Sequence, residues 1–138
     1  VKHNNAELVV GGVTDPWARR FGRELPDPVK AFAGAPQEAP RILLSHQPKH
    51  ARKYDEAVRF DVQLSGHTHG GQLFALTEVV AILNATFVRG WYALKRAKLY
   101  VHSGSGVWNG FPVRVGVPSE IAVFTLAGKP SRPTKDNI

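Results

Sequence analysis

Apolar positions along this chain fall in short clusters separated by glycine- and proline-bearing stretches, the spacing of a mixed α/β domain. Residues 7–12 (ELVVGG) read as a short strand ending in glycines. Residues 15–22 read as one capped helical turn, with Asp15 at the N-cap, Pro16 at the first helical position and Gly22 beyond the end. Pro26, Pro28, Gly34, Pro36 and Pro40 then mark a loop, with one short helix near residues 29–32. The continuous apolar run 41–45 (RILLS) is a buried-type strand. Residues 50–60 predict a helix with Ala51, Tyr54, Ala57 and Val58 on one face and Arg52, Lys53, Asp55, Glu56 and Arg59 mostly elsewhere. Residues 62–65 (VQLS) are a second strand. Strand, helix and strand over so short a span form a βαβ unit, whose two strands run parallel and end on the same sheet edge.

Beyond Gly66, Gly70 and Gly71 the pattern changes. Residues 73–83 are apolar and fit either helix or strand. Residues 98–102, 113–117 and 120–126 read as strands separated by Gly- and Pro-bearing turns, which predicts a mostly antiparallel second half. Residues 128–138 are polar, proline-containing and basic, and are expected to form a mobile tail after a domain over residues 1–127.

Composition narrows the function classes. The 138 residues are 43% apolar and 21% charged, which excludes a chain disordered throughout. No apolar run approaches the roughly 20 residues of a membrane-spanning helix, and no signal-peptide pattern opens the chain. The absence of cysteine excludes disulfides, thiolate metal sites and thiol catalysis. Eighteen Lys and Arg against 11 Asp and Glu give a net charge of +7, which favours anionic partners: phosphate esters, nucleic acid or an acidic membrane surface. The chain opens on Val1 and contains no methionine, so it reads as a processed product or an excised piece, holding part of a functional site.

Of the six histidines, His46 ends the first strand of the βαβ unit, and His67 and His69 follow the second, within Ser65-Gly66-His67-Thr68-His69-Gly70-Gly71-Gln72. Open α/β sheets bind ligands at the carboxyl ends of their strands. Imidazole is the commonest side-chain metal ligand. A His-x-His pair in an extended loop aims both rings to one side, and flanking glycines let backbone approach an ion or phosphate closely. One such pair is weak evidence, since strand-end histidines are common. Three on adjacent strand ends are much stronger.

The pieces Leu43-Leu44-Ser45-His46-Gln47-Pro48, Gly66-His67-Thr68-His69-Gly70-Gly71-Gln72, Leu99-Tyr100-Val101-His102-Ser103-Gly104 and Pro112-Val113-Arg114-Val115-Gly116-Val117-Pro118-Ser119-Glu120-Ile121 together resemble the C-terminal half of calcineurin-like metallophosphoesterases, closest to a bacterial subgroup with GHTHGGQ. The resemblance runs from about Leu8 to Leu126. It implies a partial calcineurin-like phosphoesterase sandwich of the α/β (α+β) class: one βαβ unit followed by mostly antiparallel strands. It also implies hydrolysis of phosphate mono- or diesters by two divalent metal ions about 3.5–4 Å apart. His46 and His67 would ligate one metal and His69 the other, with Mn, Fe and Zn all compatible. The family's D-x-H, GDxxD and GNH(D/E) motifs do not occur in the sequence. Three histidines fall short of a dinuclear centre, so the chain alone is expected to be inactive and to hold no metal. Asp15, in Gly12-Val13-Thr14-Asp15, aligns with a strand end of the family without being assigned as a ligand.

Gln72 and Arg114 are candidates for contact with a phosphate-ester substrate, against a loop amide for Gln72 and an ion pair with Glu120 or another acid for Arg114. His102 is a further strand-end histidine, while His3 and His50 read as surface residues. Trp17, Trp91 and Trp108 read as core or rim anchors. Arg89, Lys95, Arg96 and Lys98 around Trp91 and Tyr92 raise the alternative of a non-catalytic basic module for nucleic acid or an acidic membrane, with a solvated edge the plainer reading. Relatives by resemblance often carry an N-terminal membrane anchor, so a cytoplasmic or membrane-associated bacterial location is expected. Half of a two-sheet fold would expose apolar surface, which predicts self-association or a core that closes through the antiparallel strands alone, with the missing N-terminal half of the domain as a partner.

Overall fold

The structure, a computed structural model, describes residues 1–3, 6–108 and 112–127, with backbone alone at His3 and Phe74. β1 (Lys2–His3) and β2 (Ala6–Glu7) form a small antiparallel hairpin. β3 (Val9–Gly12) leads into the 3₁₀ turn Pro16–Phe21. There Asp15 Oδ1 accepts from Trp17 N at 2.7 Å and Gly22 closes the turn at φ +68°, as the capping pattern predicts. α1 (Pro28–Ala31) is capped by Asp27, whose Oδ1 accepts from Val29 N and Lys30 N. β4 (Arg41–Leu44) passes through a 3₁₀ turn, Pro48–His50, into α2 (Ala51–Ala57), then β5 (Val62–Ser65). A further 3₁₀ turn, Phe74–Leu76, precedes α3 (Thr77–Leu83), and β6 (Gly90–Ala93) and β7 (Lys98–Val101) follow.

The five-stranded sheet has the order β3-β4-β5-β7-β6. β3, β4, β5 and β7 are mutually parallel, and β6 runs antiparallel to β7. The βαβ unit β4-α2-β5 is as the sequence predicts, because the apolar run 41–45 and α2 must both bury one face. The α/β class therefore holds. Among the described residues the second half supplies β6 and β7, which pair antiparallel as expected, while β7 also runs parallel to β5.

Two segments read as strands, 113–117 and 120–126, form no strand; a single parallel bridge joins Leu73 to Val115. Their apolar residues serve other contacts. Val117 is buried, and Phe124 packs against Trp91 and Tyr100 with ring centroids 5.7 and 5.0 Å apart. Strand propensity without an adjacent strand edge yields no strand. β6 was not expected; its short edge hairpin with β7 closes through Leu94 N donating to Ala97 O at 2.9 Å. Residues 74–83 resolve to helix, a 3₁₀ turn followed by α3, with Leu73 in the bridge. The helix predicted over 50–60 is shorter, and Asp55 is buried rather than on the polar face, because its Oδ2 accepts from Arg96 N at 3.0 Å and holds the β6–β7 turn against α2. The predicted tail, 128–138, lies outside the described residues.

Register and alternation sort the sheet into two faces. Leu43, Leu99 and Val101 point to the face covered by α1, α2 and the stretch 85–87, forming a core with Phe32, Tyr54, Phe60, Ala51 and Phe87. Gly11 belongs to that face, since a Cβ there would meet Phe32 Cε1 at 2.7 Å. The opposite face carries the rows Val10-Ile42-Val62 and Leu44-Leu64-Tyr100-Trp91. Val10, Leu44 and Trp91 are 46%, 44% and 53% exposed, so this apolar face is largely open except where Phe124 crosses it. No helix among the described residues is long and apolar enough to cross a membrane.

Leu43 and Leu44 are chain neighbours on opposite faces, at 0% and 44% exposure. Leu43→Ala is expected to cost about 2–5 kcal/mol in urea unfolding, and Leu44→Ala well under half of that. Equal costs would mean that the two faces are not as described.

Candidate functional site

Because β3, β4, β5 and β7 are parallel, their carboxyl ends share one edge. The residues leaving those ends are Asp15, His46, His67 and His102. A cleft of about 400 Å³ opens there, lined among others by Gly12, Leu44, His46, Leu64, Gly66 and His102. It lies where a ligand site is expected in an open α/β sheet.

The structure brings His46 and His67 together. His67 Nδ1 stands 3.2 Å from His46 Nε2, with the rings edge to face at 5.0 Å between centroids. The loop 66–72 achieves this with strained backbone: His67, His69 and Gln72 have φ of +71°, +49° and +53°. Non-glycine residues there cost of order 1–3 kcal/mol each, and such strain concentrates at functional sites. Asp15 Oδ2 lies 3.9 Å from His46 Nε2, and Asp15 Oδ1 accepts from Gln47 Nε2 at 3.0 Å. The strand-end position of Asp15 was the one signal in the sequence for this acidic neighbour.

His67 is half-buried. Burial, then the adjacent His46, hold its imidazole below the usual 6.5, with Asp15 pulling the other way and His69 adding slightly to the depression. The ring is thus kept neutral, with an electron pair to donate.

His69 leaves the same loop but stands in a different setting. Its Nδ1 lies 3.3 Å from the carbonyl of Gly106, and its ring meets Trp108 edge-on at 5.9 Å. His102 borders the cleft, and its Nδ1 accepts from Gly104 N at 2.8 Å. His50 is half-buried rather than on the surface, and burial lowers its affinity for protons. The side chain of His3 lies outside the described residues.

The remaining residues of Gly66-His67-Thr68-His69-Gly70-Gly71-Gln72 build the loop. Thr68 is buried and its Oγ1 donates to Val88 O at 2.6 Å. Gly70, at φ +64°, passes so close to Ser103 and Val117 that a Cβ would sit 2.7 Å from Val117 Cγ1; Gly71 presses as closely on Thr77. Gln72 is fully buried, and its Oε1 accepts from Trp108 N at 2.7 Å. Arg114 makes no ion pair with Glu120. Glu120 instead accepts from Tyr100 Oη and from Ser103 N at 2.9 Å, while the Arg114 guanidinium donates to backbone carbonyls, among them His69 O at 3.2 Å and Ser103 O at 2.8 Å. Trp17 and Trp91 are exposed, and Trp17 lies beneath Arg20 at 4.2 Å. Arg89, Lys95, Arg96 and Lys98 are exposed around the β6–β7 hairpin, and Arg96 Nε lies 3.9 Å from Asp55 Oδ1.

Two ligand nitrogens on one tetrahedral ion at about 2.0–2.1 Å stand about 3.3–3.4 Å apart. The His46–His67 separation fits two corners of such a shell. Among the described residues, however, no group of three or more His, Asp or Glu comes together closely enough to hold a metal ion. The donor set thus fits part of a divalent-metal centre and does not complete one.

No protein-family model and no solved structure matches the chain. Curated relatives do. The chain is 41% identical over 119 residues to a metallophosphoesterase of Helicobacter pylori, covering 86% of this chain and 32% of that protein. It is 40% identical over 140 residues to a metallophosphoesterase of Campylobacter jejuni, covering 93% and 37%. It is 32% identical over 130 residues to the UDP-2,3-diacylglucosamine pyrophosphatase of Chlamydia muridarum, covering 86% and 37%. The chain spans about a third of the length of these relatives. Over most of its own length the chain is thus similar to part of proteins named metallophosphoesterases, and its histidines gather at the carboxyl edge of a mostly parallel sheet, which is consistent with a fragment of a metallophosphoesterase domain.

Proposed function

We propose that this chain forms part of the active centre of a metal-dependent hydrolase of phosphate esters, with His46 and His67 holding one divalent metal and His69 contributing to a second. The observation that carries the reading is the 3.2 Å approach of the His46 and His67 ring nitrogens at the strand-end cleft. The names of the relatives, pyrophosphatase among them, support phosphate-ester chemistry. Metals held there would supply Lewis acidity toward phosphoryl oxygens; imidazole donors suit Mn, Fe and Zn alike. The protein's own part is to keep His67 neutral by burial and to fix both rings by the strained loop that carries His67 and His69. For Gln72 and Arg114, expected at the substrate, burial and carbonyl contacts favour holding the His69 loop. In this reading the chain by itself is inactive, the remaining ligands coming from elsewhere in the parent protein. The same reading has residues 1–127 as a portion of a larger domain, whose remainder covers the open sheet face.

In the protein carrying this chain, His46→Ala and His67→Ala are each expected to reduce phosphoesterase turnover by more than the roughly 10–100-fold that loss of an outer hydrogen bond costs a metal site. Turnover unchanged in both variants would remove the reading. Metal binding requires neutral imidazole. Since burial and the adjacent His46 lower the His67 pKa from 6.5, protons compete with metal at His67 only toward the acid end, and affinity for added Zn²⁺, measured by calorimetric titration, is expected to be lower at pH 5 than at pH 8. Equal affinity at the two pH values would contradict imidazole donors. The open apolar face predicts that the isolated chain self-associates; sedimentation velocity checks this, with Leu44→Lys expected to shift the population toward monomer.

A further inference from the structure

Arg114 is a cation among carbonyls. Its Nη1 donates to His69 O at 3.2 Å and approaches Val117 O and Pro118 O at 3.5 Å. Its Nη2 donates to Ser103 O at 2.8 Å, Gly104 O at 3.3 Å and Gly106 O. These acceptors belong to the loop after β5, the loop after β7 and the stretch that carries Arg114 itself. A planar guanidinium with donors in a fixed fork can bridge such a set, whereas a lysine ammonium can satisfy fewer of them at once. Gly106 O is also the carbonyl that faces His69 Nδ1 at 3.3 Å.

We infer that Arg114 is a positioning residue for His69: by gripping the carbonyls of His69 and Gly106 together, it holds the His69 ring with its proton on Nδ1 and its Nε2 electron pair bare. A carbonyl partner on one ring nitrogen fixes the tautomer and leaves the other nitrogen as the donor. The grip also restrains the His69 backbone at φ +49°. Trp108 completes the seat, tied to the same loop through Gln72 Oε1 and set edge-on to the ring. The meaning of a bare Nε2 for metal binding rests on the function proposed above; the tautomer itself does not.

The test is the histidine-ring ¹H–¹⁵N correlation spectrum of the ¹⁵N-labelled chain at neutral pH, without metal. Wild-type His69 is expected in the Nδ1–H form. Arg114→Ala is expected to shift it to a mixture or to the Nε2–H form, and Arg114→Lys to retain part of the wild-type pattern. A wild-type His69 protonated on Nε2 overturns the inference, whether or not the variants fold. So does an unchanged His69 in an Arg114→Ala variant that keeps its far-UV circular dichroism. Zn²⁺ titration of His46→Ala reports on the metal proposal separately, so either idea can fail without the other.

Discussion

The parallel ladder joining β3, β4, β5 and β7 is the constraint on which the rest depends. Parallel strands require crossovers, which return each strand in the same direction. Four carboxyl ends therefore meet on one edge, and four chain segments far apart in sequence leave the sheet side by side. Asp15, His46, His67 and His102 are neighbours for that reason alone. Had β5 run antiparallel to β4, His67 would sit at the opposite end of the sheet from His46, with the same sequence motifs and no cleft between them.

Within that frame the loop 66–72 divides its labour residue by residue. Thr68 and Gln72 turn inward and are used up in hydrogen bonds to Val88 and Trp108. Gly70 and Gly71 let the backbone lie against Ser103, Val117 and Thr77 closer than any side chain permits. His67 and His69, the alternate positions, are left to project. The loop's positive φ angles are costly, and the inward contacts are what hold them. A motif that looks like seven chemical residues is thus two donors on a five-residue mount.

The capped turn at Asp15, the strands β4 and β5 and the helix between them were legible because each is specified locally, by a cap, an apolar run or a helical period. The gathering of His46 and His67 followed from topology once the βαβ unit was recognised. What was not legible is non-local. β6 is a short strand whose existence depends on pairing with β7, and its Trp91 and Tyr92 carry no period of their own. Residues 113–117 and 120–126 have strand composition, yet composition cannot say whether an edge is free to receive them. Asp55 shows the same limit on a smaller scale. Its place on α2 is polar by pattern, and only the β6–β7 turn lying against it explains its burial. The partners of Arg114 were missed in the same way, because charge suggests a carboxylate or a phosphate, while the fold offers a ring of carbonyls.

The open face and the incomplete donor set have one physical origin. Mostly parallel sheets are normally covered on both sides, since their strands are apolar on both. Here helices cover the Leu43 and Leu99 face, while the row Leu44-Leu64-Tyr100-Trp91 lies on the other. Leu44 and Leu64 also line the strand-end cleft. A layer laid over that row would therefore form a wall of the cleft as well, and any acidic or imidazole groups at its rim would face His46 and His67. Covering the sheet and completing the site would thus be one packing event rather than two. The chain spans about a third of the length of the relatives it matches, so those proteins have polypeptide enough for such a layer.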